Sequence, residues 1–255
     1  MNYKLFKHAL LDYENKYYDI EYEPLEIILK FKSPVISLWK SHFDGFLAGM
    51  LFQKIMREYN IYYHIDMNNE LFDIPIPIKK LKISNDFIYK ASSMFYENEI
   101  FFKKTTIKKR FSESNLALLS DIKKVIVNGG TYKNRDFPAI FEATMSNLKY
   151  FCVGNKAEIN EILQLPLAIG KLRERGFGFI KNIQIKSIKK DNSIIYKDNL
   201  MRTVPVRMYS KLGKYYKISK EFKDNAYKRC ILGEFNYKPP YFQIRDTELC
   251  YQPNI

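Results

Sequence analysis

The sequence predicts an α+β fold of two strand–helix–strand halves, on three observations. Apolar residues run in strand fashion over "LEIILKF" (25–31) and again over "LKYFCVG" (148–154). Each run is followed by apolar residues at helical spacing, in "GFLAGMLFQKIMREY" (45–59) and "KAEINEILQL" (156–165). Each helix leads on to further alternating segments, from Phe87 and from Phe177. In a chain of 255 residues without linker, repeat or low-complexity tract, two such units predict a single ferredoxin-like domain with extensions.

Taken in order, the first strand is ended by Ser33-Pro34, and Asp44 is the expected cap of the first helix. Pro75 and Pro77 in "LFDIPIPIKKLKIS" force an extended segment that cannot be a central strand. From Phe87 to Arg110 the pattern is β-like and increasingly basic, and "SESNLALLSDIKK" reads as a short helix capped by Ser112. "KVIVNGGTYKNRDFPAIFEA" carries an Asn-Gly-Gly turn between two strand-like runs. The last 65 residues, with "TVPVRMYS", "KYYKIS", "YKRCILGEF" and "YKPPYF", predict short strands and loops, an additional C-terminal β-structure.

Charge narrows the function classes. Forty-two Lys and Arg against 28 Asp and Glu leave a formal +14, which favours an anionic partner, nucleic acid or an acidic membrane surface. Twenty Tyr and 19 Phe offer stacking surfaces for bases, or merely a compositional bias. Cys152, Cys230 and Cys250 form neither a disulfide framework nor a zinc spacing, so reduced thiols and a cytoplasmic protein are expected. With acids and tyrosines throughout its start, the sequence is not expected to open on a signal peptide, and no apolar run approaches the roughly 18 residues of a membrane span. No metal-ligand spacing, phosphate-binding P-loop or nucleophile elbow is present, so neither metal nor cofactor is expected.

Three stretches are candidates for function. The first is "IGKLRERGFGFIKNIQI" (169–185). Its helix–loop–strand order is the reverse of a nucleotide cradle. Gly170 stands where a helix C-cap is wanted, and Gly176 and Gly178 flank Phe177 at the start of a strand. Two uses fit: a capped turn with a bulge, or an anion grip in which glycines admit backbone N–H groups and Lys171, Arg173 and Arg175 supply charge. The second stretch, "IFFKKTTIKKRF" (100–111), holds five cations and no acid: Lys103, Lys104, Lys108, Lys109 and Arg110. It reads as a solvated face or as a backbone-tracking arm. The third is "WKSHFDGFLAG" (39–49), where His42 stands beside Ser41 and Asp44. It fits acid–base chemistry or simple packing of Trp39 and Phe43 about a cap.

Several segments, in order, resemble the RAMP proteins of CRISPR effector complexes, specifically the handle-binding, Cas5-like subunit of type IV systems. They are "FKSPVISLWKSHFDGFLAGML", "FFKKTTIKKRF", "KYFCVGNKAEINEILQLPLAIGKLRERGFGFI", "VPVR" and "GEFNYKPPYF". The resemblance implies a ferredoxin-like (RRM-related) core with a glycine-rich loop at 170–178 and an inserted basic, thumb-like arm at about 80–120. It implies an RNA-binding subunit that caps the 5′ repeat-derived handle of the CRISPR RNA. Its partners would be backbone subunits and the large subunit that reads the motif adjacent to a DNA target duplex. Gly170, Lys171, Arg173, Arg175, Gly176, Phe177 and Gly178 would hold RNA backbone, Lys103 to Arg110 would lie in the arm, and Trp39 and His42 near the handle. Relatives in other CRISPR types cut precursor RNA without metal. The lack here of a clear His-plus-Tyr/Lys set makes a non-enzymatic binder the expectation, with His42 the candidate catalyst of the alternative, a metal-independent endoribonuclease.

Overall fold

A computed structural model of the chain describes residues 2–36, 41–61, 73–96, 101–109, 135–143, 147–164, 168–170, 173, 176–218, 222, 230–239, 241 and 247–253. In chain order its elements are α1 (Asn2–Lys16), β1 (Glu23–Phe31), α2 (Phe43–Glu58), β2 (Lys80–Ile83), β3 (Asp86–Tyr89), β4 (Phe95–Tyr96), β5 (Phe101–Lys109), β6 (Arg135–Ala143), β7 (Leu148–Gly154), α3 (Lys156–Ile162) and β8 (Ile180–Ser187). There follow β9 (Ile195–Tyr196), β10 (Asn199–Leu200), β11 (Val204–Pro205), α4 (Val206–Tyr209), β12 (Cys230–Asn236) and β13 (Thr247–Pro253). The fold is mixed α+β with antiparallel sheets, as the sequence predicts.

The main sheet has the order β4–β7–β1–β8, with every neighbouring pair antiparallel. Alternation explains β1: Leu25, Ile27, Leu29 and Phe31 share one pleat face and enter the core, while Glu26 and Lys30 take the other. β7 contributes Leu148, Tyr150 and Cys152 to the same core. Helices α2 and α3 lie in the two crossovers and supply Phe43, Leu47, Leu51, Ile55, Ile159 and Ile162. Each such side chain contributes roughly 1.5–3 kcal/mol on burial. Asn155 starts α3, its side chain accepting the Glu158 N–H at 3.0 Å. The first 22 residues, for which the sequence offers no role, hold α1. Its Phe6, Ala9 and Tyr13, with Tyr17 just past its end, recur at helical spacing and are buried in the same cluster. The Tyr13 hydroxyl donates to Glu58, and Lys16 and Lys54 both pair with Glu161, fastening α1 across α2 and α3.

A second cluster joins distant parts of the chain. Leu81, Ile83 and Ile88 from the β2–β3 hairpin pack with Ile194, Leu200, Val204, Met208, Leu212, Phe222, Tyr237 and Cys250. The sheet β11–β13–β12 frames it.

Several expectations change. Asp44 does not cap α2: the helix begins at Phe43 after His42, and Asp44 lies inside the first turn, fully buried. Gly170 is not a C-cap either, because α3 ends at Ile162 with Leu163 as its cap. "VPVRMY" is a bridge strand followed by the short helix α4, and the described part of "KYYKIS", residues 214–218, contains no strand. Within residues 80–96, β2 and β3 form a hairpin whose side chains enter the second cluster and β4 pairs with β7 in the main sheet, while β5 (101–109) pairs with β6 (135–143). The strand after the Asn-Gly-Gly turn pairs with the basic stretch. That turn and the segment from Ser112 lie outside the described residues.

Candidate nucleic-acid interface

The glycine-rich loop is closed at its base. The Ile169 N–H donates to the Gly178 carbonyl at 3.0 Å, and the Gly178 N–H donates to the Pro34 carbonyl at 2.9 Å. The Lys32 N–H donates to the Phe179 carbonyl at 2.8 Å, and the Phe179 N–H to the Ser33 hydroxyl at 2.9 Å. The Ser33-Pro34 turn that ends β1 is thus also the anchor of the loop. Gly170, Gly176 and Gly178 all have positive φ, at 93°, 88° and 69°. A Cβ on Gly178 would meet the Ile169 carbonyl oxygen at 1.8 Å, and one on Gly170 the Ile36 carbonyl oxygen at 2.6 Å. Two of the three glycines therefore serve close backbone packing.

This refines the expected grip. The N–H groups of Gly176 and Gly178 are engaged inside the protein, the former by the Arg173 carbonyl at 3.1 Å. The expected backbone grip therefore loses both of these N–H groups, and of the grip as read only side chains on a loop of closed base are left. Arg173 is exposed, Phe177 is half-buried and Phe179 is 41% exposed beside them. Lys171, Arg175 and Trp39 lie outside the described residues.

The ribbon β5–β6 sorts the candidate cations of the arm. Its register runs from Phe101 opposite Ala143 to Lys109 opposite Arg135. Strand alternation puts Lys103 and Lys109 on one face and Lys104 and Lys108 on the other. Arg110 lies outside the described residues.

His42 is placed differently from the loop. It is 5% exposed, its Nε2 accepts the Thr203 N–H at 2.9 Å, and its ring stacks on Tyr241 at 4.8 Å between centroids. Burial, with the nearby Arg202 charge adding to it, holds its pKa well below the ordinary histidine value. The neutral imidazole is thus a structural acceptor with its lone pair occupied. The pairing of residues 41–43 with 92–94 fixes it there: the Phe43 N–H donates to the Ser92 carbonyl and the Met94 N–H to the Ser41 carbonyl.

Beside it lies a buried ion pair that sequence reasoning missed. Arg202 is fully buried and donates to Asp44 at 3.2 Å, to the Tyr237 carbonyl at 2.7 Å, and to the carbonyls of Tyr89, Ala91 and Thr203. The Tyr241 hydroxyl donates to Asp44 at 2.8 Å. Burial pushes the Asp44 carboxyl up, against the pull of Arg202, Tyr241 and the Gly45 N–H. The available signal was a lone cation between apolar residues in "NLMRTVPV".

His42 gives a pH prediction. The unfolded residue titrates near 6.5, the folded one well below, so the unfolded chain takes up more protons as pH drops past about 6.5. Stability contributed by the neutral ring is therefore present above that pH and falls on acidification, by up to ~1.4 kcal/mol per pH unit. Urea unfolding at pH 7.5 and 5.5 is expected to show this fall, and His42→Gln, which keeps an acceptor for Thr203, is expected to reduce it. Equal pH slopes in the two proteins would refute the assignment.

The outer face of the main sheet is partly covered. Phe151 is 4% exposed beneath Phe95 and Tyr196, with ring centroids at 5.1 and 4.9 Å, so this aromatic group is no bare stacking platform. Among the described residues no group of three or more His, Cys, Asp or Glu side chains could hold a metal ion. Among them also, no helix is long and apolar enough to cross a membrane.

No family model matches the chain, and no curated protein matches it. Eight chains of solved structures do. One comes from a cryo-EM structure of the Type III-B Cmr-beta bound to cognate target RNA, at 10% identity and a TM-score of 0.32. The match covers 71% of this chain and 66% of that one.

Proposed function

We propose that the protein is a non-enzymatic RNA-binding subunit of a type IV CRISPR ribonucleoprotein, a RAMP-type protein that grips the 5′ repeat-derived handle of the CRISPR RNA. In that role it contacts the backbone subunits and the large subunit, beside the target DNA duplex. The observation that carries this reading is the glycine loop: anchored at both ends on the Ser33-Pro34 turn and Ile169, it holds exposed Arg173 on a chain of net charge +14. Guanidinium groups suit phosphate because they bind two oxygens at once. The order β4–β7–β1–β8, with a helix in each crossover, supports a ferredoxin-like core, and the sequence resemblance supplies the RNA.

The state of His42 favours binding over cleavage, since a general base needs a free lone pair within reach of the 2′-OH. His8 stands exposed on α1, 3.9 Å from Asp12, remote in sequence from the loop. Binding of labelled repeat RNA in EDTA tests the proposal. The wild-type protein is expected to bind without cutting. Arg173→Ala with Arg175→Ala is expected to weaken binding and lower the slope of log K against log salt by about 1.4, two phosphate contacts at ~0.7 each. Unchanged affinity and slope would count against the loop, and site-specific cleavage would establish an endoribonuclease instead.

A further inference from the structure

Resting on that reading for the identity of the anion, we infer that the ribbon β5–β6 meets RNA through one face only, the face of Lys103, Lys109 and Arg135. Residues directly opposite in an antiparallel pair share a face, and alternate residues along a strand share it too. The register then divides the ribbon without ambiguity. One face carries Lys103, Lys109 and Arg135 together with Phe137 and Phe141, and no acid. The other carries Lys104 and Lys108 together with Asp136 and Glu142, and is neutral in sum.

The cross-strand pairs sharpen the difference. Lys108 stands opposite Asp136 in the register, and opposite charges at facing positions stabilise an antiparallel pair. One step along, Lys109 stands opposite Arg135, a like-charge pair that costs the ribbon stability until an anion lies across it. Lys103 stands opposite Phe141, and Phe137 is two places from Arg135 along β6. Cations interleaved with aromatics form the residue set that single-stranded nucleic acid binds, through phosphate contact and base stacking. β5 and β6 pair with each other and, among the described strands, with no other. Four of the five cations of the basic run therefore sort into two unequal surfaces, and Arg135 joins the one that binds.

The full-length protein and a labelled single-stranded repeat RNA test this. Lys103→Gln/Lys109→Gln/Arg135→Gln is expected to lose at least tenfold in affinity at low salt and about 2 in log–log salt slope. Lys104→Gln/Lys108→Gln is expected to stay within about twofold of wild type, since the acids of that face already offset its charge. Lys109→Glu separates binding from folding: opposite Arg135 it creates an attractive pair, so the thermal midpoint should hold or rise while RNA affinity falls. Equal losses from the two faces, or a larger loss from the Lys104/Lys108 face, would overturn the face assignment and leave RNA binding standing. Full RNA affinity in the triple variant with loss of a co-purifying protein subunit would overturn it in favour of a protein contact. Absence of any salt-dependent RNA binding by the wild-type protein would instead remove the proposed function.

Discussion

Arg202→Met is expected to destabilise the fold by ~3–5 kcal/mol, the range for breaking one partner of a buried pair. The guanidinium lies in the interior with Asp44, and both are completely buried. Methionine fills the volume but leaves the Asp44 charge with the Tyr241 hydroxyl and the Gly45 N–H, and removes the Arg202 donor from the Tyr89, Ala91 and Tyr237 carbonyls. Burying an uncompensated carboxylate is the larger part of that cost, so it should shrink when the charge goes too. Arg202→Met in an Asp44→Leu background is therefore expected to cost ~1–3 kcal/mol less than in the wild type. Urea denaturation of the four proteins of the cycle measures this. Additive single effects would show that the two groups are independent despite their 3.2 Å separation.

Gly178→Ala is the second large effect, on the order of 3 kcal/mol or more, because strain and overlap act together. The residue has a positive φ of 69°, and the atom 1.8 Å from an added Cβ is a backbone carbonyl oxygen that cannot swing away like a side chain. The Ile169–Gly178 closure must open, and with it the base that fixes Arg173. Gly176→Ala is the comparison: φ is 88° but the nearest atom is 4.0 Å away, so only the conformational cost of ~1–2 kcal/mol applies. Denaturant unfolding should rank Gly178→Ala well above Gly176→Ala, and RNA affinity should follow the same order. Equal effects at the two positions would mean that the loop base is not what holds the loop.

Local periodicity explains why the frame was legible. "LEIILKF", "LKYFCVG" and their following helices each carry their own pattern, and each is found where the pattern puts it. What local pattern cannot show is which distant group answers a polar residue. Asp44 reads as a cap because Ser, Asp and Asn before a helix usually are caps. Only the arrival of Arg202 and Tyr241, more than 150 positions later, makes it the buried half of an ion pair. The same holds for Gly170 and Gly178, whose need for a missing side chain is set by the carbonyls of Ile36 and Ile169 across the loop base. Along "FFKKTTIKK" the β-like, basic character was readable, but the acids that neutralise one face come from the other strand and depend on register.

The second hydrophobic cluster has a consequence for synthesis on the ribosome. Leu81, Ile83 and Ile88 are made early, while their partners from Ile194 to Cys250 come after the whole ribbon and all four strands of the main sheet. The gap of about a hundred residues corresponds to roughly 5–20 s of elongation at ~5–20 residues per second. For that interval the β2–β3 hairpin carries an uncovered apolar side next to a first core that is progressively completed. The nascent chain is then most exposed to misassociation after its early half has been made, and slow translation through residues 89–193 would lengthen the hazard.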